Sequence, residues 1–442
     1  MHVMHFDCVV CNGTVLTMNP DFEIIEDGVV CWKNGRIERV EKRRREKGAY
    51  SARETVDAGG GLVMPGLINT HTHLPMSLFR GLADDMPLSE WLNGHIFPAE
   101  ARYINACSIC TGVRLSLLEM LLSGTTTCCD GYFLEDAAAS AVMESGMRAV
   151  LGQGVIDLPA PGVPEPAGNV SAAGDFVSRW KNASDLITPS IFCHSPYTCS
   201  EKTLLQAKRA AAEAGVPFQI HVAETRGEYE QIRAATGESP VQFLDRLGVL
   251  DEKTIAAHAV WVDAEDIEIL ASRKVGISHN PESNMKLASG TAPVPDFLRA
   301  GIAVGLGTDG CASNNNQDMF AEMDSAAKLH KVAAADPTAA SARQVLCMAT
   351  IEGARVLGLQ HRIGSIEVGK QADLIVLDTH QPHLTPMYHP ESHLVYAARG
   401  ADVRDVFIRG CRRVNNCIVT GMDAQQIMAD AAALGRRIGE RN

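Results

Sequence analysis

The pattern of apolar and polar positions divides the chain into three textures. Through the first 60 residues, short apolar runs are broken by turn residues. Asp7–Met18 and Gly28–Lys33 are two such runs, and Asn34-Gly35 after the second is a hairpin signal. The same texture returns after residue 363, in IGSIEVGKQADLIVLD and VRDVFIRGCRRVNNCIVTG. The two ends, 1–60 and 363–422, are therefore expected to form one small β-sandwich domain together. Residues 423–442 are Ala-rich, with helical periodicity and charged flanks, and predict a C-terminal helix.

Between the ends, short β-rich segments finish in polar or small residues, and each is followed by a longer helical pattern. They are Gly61–His73, Thr125–Phe133, Arg148–Asp157, Ile187–Pro196, Pro217–Thr225, Thr254–Val262, Lys274–Pro281 and Ile302–Gly310. Eight such segments over about 250 residues predict an α/β fold, a (β/α)8 TIM-like barrel across 61–362. An open doubly wound sheet is the structural rival, but no Gly-rich dinucleotide loop follows the first segment. In a barrel, the C-terminal strand ends face one pocket, so polar residues there become candidates for a single site.

Composition sets limits. Hydrophobic residues are 46% and charged residues 21% of 442, the balance of a soluble globular protein. No apolar run of about 18 residues occurs, which argues against a membrane-spanning helix, and MHVMHFDCVV lacks the features of a signal peptide. A net charge of −13 argues against a nucleic-acid partner, and the one basic cluster, Lys42–Lys47, is expected to be a solvated turn. The 13 cysteines are scattered and odd in number, so buried thiols in a reducing, cytoplasmic compartment are expected. Cys8 and Cys11 are expected to be a structural pair within a strand.

Histidine collects at the strand ends. The first brings His71 and His73, the fourth His194, the fifth His221 with Glu224, the sixth His258, the seventh His279-Asn280 and the eighth Thr308-Asp309. A His-x-His pair alone is weak, since 15 histidines yield roughly half such a pair by chance. On a strand, however, residues i and i+2 share one face, so His71 and His73 can enter the same barrel mouth. With His221 and Asp309 they make three imidazoles and one carboxylate, a set that holds one divalent ion and leaves a position open to water. Such an ion lowers the pKa of its water towards about 7. Glu224 then serves as general acid–base, and His258 orients the attacking water and stabilises developing oxyanion charge. Plainer roles exist for each: a core histidine for His258, a helix cap for Asp309, a solvated loop carboxylate for Glu224. The fourth end, FCHSPYTCS, offers His194 and no lysine for a bridging carbamate, which favours one metal over two. The ligand types suit Zn2+, Fe2+ or Mn2+ alike.

The stretches PGLINTHTHLPMSLFRGLADDMPLSEWL, HSPYTCSEKTL, HVAETRGE, SHNPESNMKLASG and GTDGCASNNNQDMF, with ADLIVLD near the end, resemble the amidohydrolase superfamily. Within it they are similar to the 5′-methylthioadenosine/S-adenosylhomocysteine deaminase group. The resemblance implies a mononuclear site, usually zinc, on His71, His73, His221 and Asp309, and hydrolytic deamination of an adenine base to the hypoxanthine nucleoside and ammonia. In that scheme, hydroxide adds to C6 while Glu224 protonates the adjacent ring nitrogen and passes a proton to the leaving ammonia. Asp309 takes the proton of the attacking water, and His258 polarises the site.

The resemblance also implies that Glu100 binds the ribose hydroxyls, that Trp91 and His194 contact the nucleoside, and that Ser313 lines the tail end. Members that accept a homocysteine tail are similar but carry an arginine at the end of strand three, able to pair with a carboxylate. This chain has Gln153 there, and no Lys or Arg from Ala149 to Ser178. Neutral tails, as in 5′-methylthioadenosine or adenosine, are therefore expected over S-adenosylhomocysteine, unless an arginine such as Arg80 supplies the charge. A small-molecule nucleoside is the implied partner, with no nucleic acid or membrane, and a homo-oligomer (dimer or tetramer) is common for this fold. Rivals on the same scaffold are hydrolases of amino- or chlorotriazines and deaminases of guanine or cytosine type. A scaffold homologue that has lost catalysis would show eroded ligands, whereas all four are present here.

Overall fold

The computed structural model describes residues 5–44 and 50–440; residues 45–49, which include the end of the Lys42–Lys47 cluster, lie outside the described residues, as do 1–4 and 441–442. Eight parallel strands follow one another around a central sheet in chain order. They are Leu67–Thr72, Thr125–Tyr132, Arg148–Val155, Ile187–Cys193, Phe218–Val222, Thr254–His258, Gly276–His279 and Val304–Leu306. The last returns to the first: Thr72 bridges Asp309 in parallel, and the Asp309 amide donates to His71 O at 2.9 Å. Helices fill the connections, as parallel neighbours require, and the TIM-like barrel expected from the strand pattern is the observed fold. One end is plugged by Ile68, Cys129, Val150 and Ile255 together with Ala354, Leu357 and Ile363. The other end, where the strands terminate, is left for chemistry.

The expected first segment, Gly61–His73, is two strands serving two sheets. Leu62–Pro65 pairs with His5–Leu16 and with Leu374–Leu377, and only Leu67–Thr72 enters the barrel. The chain crosses between sheets at Gly66, where a Cβ would lie 2.1 Å from the Thr126 side chain. The second sheet has nine strands drawn from both chain ends. Its order runs Ile418–Val419, Cys411–Asn415, Val403–Ile408, Leu374–Leu377, Leu62–Pro65, His5–Leu16, Ile24–Lys33, Arg36–Lys42, with Ser51–Asp57 also paired to His5–Leu16. Alternating apolar side chains, among them Val10, Trp32, Val63, Leu374 and Phe407, close a core of its own. Asn34-Gly35 makes the expected hairpin, with φ of +51° and +72°, the left-handed pair that matches strand twist.

A buried arginine ties this sheet to the barrel. Arg148, 2% exposed on the third barrel strand, gives Nε and Nη2 to Asp373 Oδ2 at 3.1 and 2.9 Å. The C-terminal helix, Ala424–Gly439, is capped by Asp423, whose Oδ1 accepts from Gln426 N at 3.0 Å. All 13 cysteines are free, and Cys107, Cys411 and Cys417 are exposed, not buried as composition suggested. No single helix among the described residues is long and apolar enough to cross a membrane.

Candidate metal centre and pocket

His71 and His73 stand two apart on the first barrel strand and enter the mouth side by side. The tautomer of His73 is set from behind: its Nδ1 donates to Gly131 O at 2.6 Å, which turns the Nε2 lone pair towards Asp309 Oδ1, 3.2 Å away. His71 Nε2 lies 3.1 Å from His221 Nε2 and 3.4 Å from Asp309 Oδ1. The Asp309 carboxylate is held by the Gly310 amide at 2.8 Å and by the Ser283 and Ser313 hydroxyls at 2.7 and 3.0 Å. Beneath the imidazoles lies Phe192, its ring centroid 5.1 Å from that of His221. Phe192 leaves room for no side chain at position 131, where a Cβ would fall 2.7 Å from its ring.

Two of these side chains are aimed by unfavourable backbone. Asp309 has φ of +62° and His258 of +73°, in the left-handed region where a non-glycine residue costs of order 1–3 kcal/mol. Such conformations persist where the surroundings over-determine them, and at both strand ends the surroundings are the site itself.

The electrostatics match the geometry. Burial drives His71 down to about 4 and His221 well below the ordinary histidine value, so both are neutral donors of lone pairs. Burial opposes charge on His73, but Asp309 outweighs it and lifts His73 to about 9. Burial also disfavours charge on Asp309, yet His71 and His73 hold its carboxyl well below the usual range. Lone pairs crowded this closely need a proton or a cation among them. Four ligands at about 2.0–2.1 Å from a zinc-sized ion, at tetrahedral angles, sit about 3.3 Å from one another. The observed spacings of 3.1, 3.2 and 3.4 Å agree with that value, and the ring nitrogens of His71, His73 and His221 lie within 4.8 Å of one another, so these three with Asp309 are the candidate ligands of one divalent ion. His258 borders the same cluster, with a ring nitrogen within 4.8 Å of His71 and Asp309.

Glu224 stands beside it, its Oε2 3.8 Å from His258 Nε2. Its loop is shaped by Glu228, whose carboxyl accepts from the amides of Ala223 at 2.9 Å and Glu224 at 2.8 Å. Burial raises the Glu224 carboxyl above its ordinary value, which favours the proton-bearing form. On the far side of His258, Asn284 Oδ1 at 2.9 Å and Asn280 Nδ2 at 3.2 Å face its Nδ1.

These groups floor a pocket enclosing about 690 Å³, its open mouth included. Trp91, Phe97, Glu100, Tyr132, Ile156, His194 and Tyr197 are among its walls, and among the described residues no lysine or arginine lines it. Glu100 accepts the Tyr132 hydroxyl, and burial pushes its carboxyl up to about 7. Trp91, in a π-helical turn, donates Nε1 to Ala83 O at 3.1 Å and leaves its ring to the pocket. Burial takes His194 down to about 4, with Nδ1 3.0 Å from the Thr198 hydroxyl.

Not every expected residue arrives. Gln153 does not line the pocket. A Cβ on Gly152 would meet Gln219 and Phe192 inside the barrel, so alternation turns Gln153 outward, where its Oε1 accepts the Glu135 amide at 3.1 Å. The pocket wall at this strand end is Ile156 instead. Ser313 does line the pocket, but its hydroxyl orients Asp309. His279 faces away, its Nε2 3.0 Å from His330 Nε2. Arg80 is taken by Glu119 and by Asn315 O. Asn280, named among the strand-end residues, serves by orienting His258, while Tyr132, Phe192, Asn284 and Glu228 belong to the site without having been singled out as its members. Only Glu228 carried a local signal, the Thr-x-x-Glu spacing of a capping box at Thr225–Glu228.

Residues 62–412 match the model of the amidohydrolase family. The chain is 46% identical over 432 residues to a 5-methylthioadenosine/S-adenosylhomocysteine deaminase of Syntrophobacter fumaroxidans, covering 98% of each. It is 44% identical over 436 residues to a 5′-deoxyadenosine deaminase of Methanosarcina acetivorans, covering 98% of this chain and 99% of that one. The crystal structure of an adenosine deaminase from Xanthomonas campestris with bound zinc is similar at a TM-score of 0.96 and 38% identity, over 98% and 99% of the two chains. An atrazine chlorohydrolase of Arthrobacter aurescens shares the fold, at a TM-score of 0.89 and 24% identity over 97% and 100%. With the family model matched across both sheets and full-length relatives at this identity, the chain belongs to the amidohydrolase family.

Proposed function

We propose that this protein hydrolytically deaminates the adenine base of adenosine-type nucleosides, with neutral 5′ tails preferred, using one divalent metal ion. The observation that carries the proposal is full-length likeness, at 46% and 44% identity, to relatives named as deaminases of adenosine derivatives. Zinc is the metal proposed, on the strength of the zinc-bound relative at 38% identity. When bound, the ion supplies Lewis acidity, so that the attacking water loses a proton near neutral pH.

The side chains do the rest. Trp91 and His194 flank the base, and Glu100 accepts hydrogen bonds from the ribose hydroxyls. Glu224, whose carboxyl burial raises above its ordinary value, gives its proton to the ring nitrogen next to C6. Asp309 takes a proton from water as the oxygen adds to C6. Glu224 then collects the C6 hydroxyl proton and passes it to the exocyclic amine, which leaves as ammonia as the C6 carbonyl forms, and the proton held by Asp309 restores the acid form of Glu224. His258, oriented by Asn280 and Asn284, donates to the oxygen as charge gathers on it. The preference for neutral tails rests on a pocket wall with Ile156 and, among its described residues, without lysine or arginine, the cations Arg226 and Lys286 standing in the adjoining outer cleft.

The test is a steady-state panel of adenosine, 5′-methylthioadenosine, S-adenosylhomocysteine, guanine and an aminotriazine, with ammonia release and metal content both measured. Turnover of adenosine derivatives, fastest with neutral tails, is expected. Turnover of guanine or the triazine alone would overturn the proposal, and equal efficiency on all three adenosine derivatives would overturn the tail preference.

A further inference from the structure

Behind the imidazoles lies a pair of buried acids that the chemistry above does not use. Asp130, at the end of the second barrel strand and wholly buried, turns its Oδ1 to the segment that carries His71 and His73. That oxygen accepts from the Thr72 hydroxyl at 2.8 Å and from the Leu74 amide at 2.7 Å. The next carbonyl, Gly131 O, receives the His73 Nδ1 proton. From the other side, Gln219, two residues before His221 on the same strand face, donates Nε2 to Asp130 O at 3.1 Å. Asp130–Gly131 thus touches the residues on both sides of His73 and a neighbour of His221, while the Asp130 side chain stays out of the pocket.

The second acid is Glu135, also fully buried, which opens the following helix with its amide held by Gln153. Its side chain faces that of Asp130 and the backbone of Tyr132. Burial and the neighbouring Asp130 push Glu135 well above the carboxyl range, so Glu135 is the member that keeps a proton.

We propose that Asp130, backed by the Glu135 acid, is a positioning residue that sets the angle between His71 and His73 for a divalent ion. The proposal rests on the four-ligand site argued above. A ligand pair on an unbraced strand end could still reach the ion, but with its imidazoles free to swing, and bracing of this kind is typically worth tenfold or more in metal affinity.

Three variants test it by competition of the purified protein with a chromophoric chelator for zinc, and by the visible spectrum of the cobalt-loaded form. Asp130→Ala should bind zinc roughly tenfold or more weakly and shift the cobalt ligand-field bands. Asp130→Asn, which keeps an oxygen for Thr72 and Leu74, should stay within about threefold of the parent and restore the bands. Thr72→Val, which removes one of the two donors while leaving chain packing intact, should weaken zinc by a few-fold, and carries the test if Asp130→Ala does not fold. Unchanged affinity and bands in Asp130→Ala, or in Thr72→Val where the former is unfolded, would overturn the proposal. So would Asp130→Asn losing as much as Asp130→Ala. Failure of the parent protein to bind any divalent ion would instead overturn the ligand set itself.

Discussion

Substitution of Glu100 by glutamine separates what the site needs from what the fold prefers. Glu100 is 4% exposed, bonded to the Tyr132 hydroxyl, and burial raises its carboxyl from 4.5 to about 7. The folded chain therefore holds this proton over a range in which the unfolded chain has released it. Stability from this group is full below pH 4.5 and is lost as pH rises through about 7. A shift of this size corresponds to about 3 kcal/mol between the two limits. A glutamine at this position cannot ionise and can still accept from Tyr132, so the variant's stability should not follow that decline. With an unfolding entropy of about 2.1 cal/mol/K per residue, a chain of this length loses or gains ~1 °C of Tm per 0.9 kcal/mol. Glu100→Gln should therefore melt within a degree of the parent at pH 5, and about 3 °C above it at pH 8.5. The assay is differential scanning across that pH range with metal content held constant. The same variant should raise KM for adenosine by tenfold or more, since the ribose loses a charged acceptor worth about 1.5 kcal/mol. Parallel Tm–pH curves for the two proteins would refute the argument, because then Glu100 does not ionise against its surroundings.

Glu224→Gln should lower kcat by roughly 10²–10⁴ with zinc content unchanged, and a loss of zinc instead would make Glu224 a ligand rather than a proton donor. Removal of the divalent ion with a strong chelator should abolish ammonia release and lower Tm by several degrees, both reversed by added zinc; activity that survives full removal would refute the metal centre. Gln153→Ala should cost about 1–3 kcal/mol, measured by urea unfolding, because it strands the Glu135 amide. It should leave the ratio of kcat/KM for 5′-methylthioadenosine and S-adenosylhomocysteine unchanged, and a moved ratio would place Gln153 in the pocket after all.

Much of this molecule is written locally. A strand repeats every two residues, so His71-Thr72-His73 commits both imidazoles to one face whatever surrounds them. Parallel strands need long crossovers, so the alternation of short apolar runs with helical stretches specifies a barrel, and a barrel gathers its strand ends. The Asn34-Gly35 turn follows from the φ values that only such residues adopt cheaply. What sequence could not reveal is which way a given strand end faces and what stands behind it. Gln153 and His279 occupy strand ends as promising as those of His73 and His258, yet inward glycines at 152 and 154 and the imidazole of His330 decide that they point elsewhere. Gly61–His73 reads as one strand because its apolar pattern is continuous, and only the pairing partners divide it between two sheets. Asp130, Glu135 and Glu228 are single acids in unrelated stretches, and their meaning comes from burial beside particular amides and hydroxyls. Periodicity is a property of the backbone and survives in one dimension. The partner that fixes a ligand's tautomer lies 58 residues away across the barrel, and only the closed fold brings it within 2.6 Å.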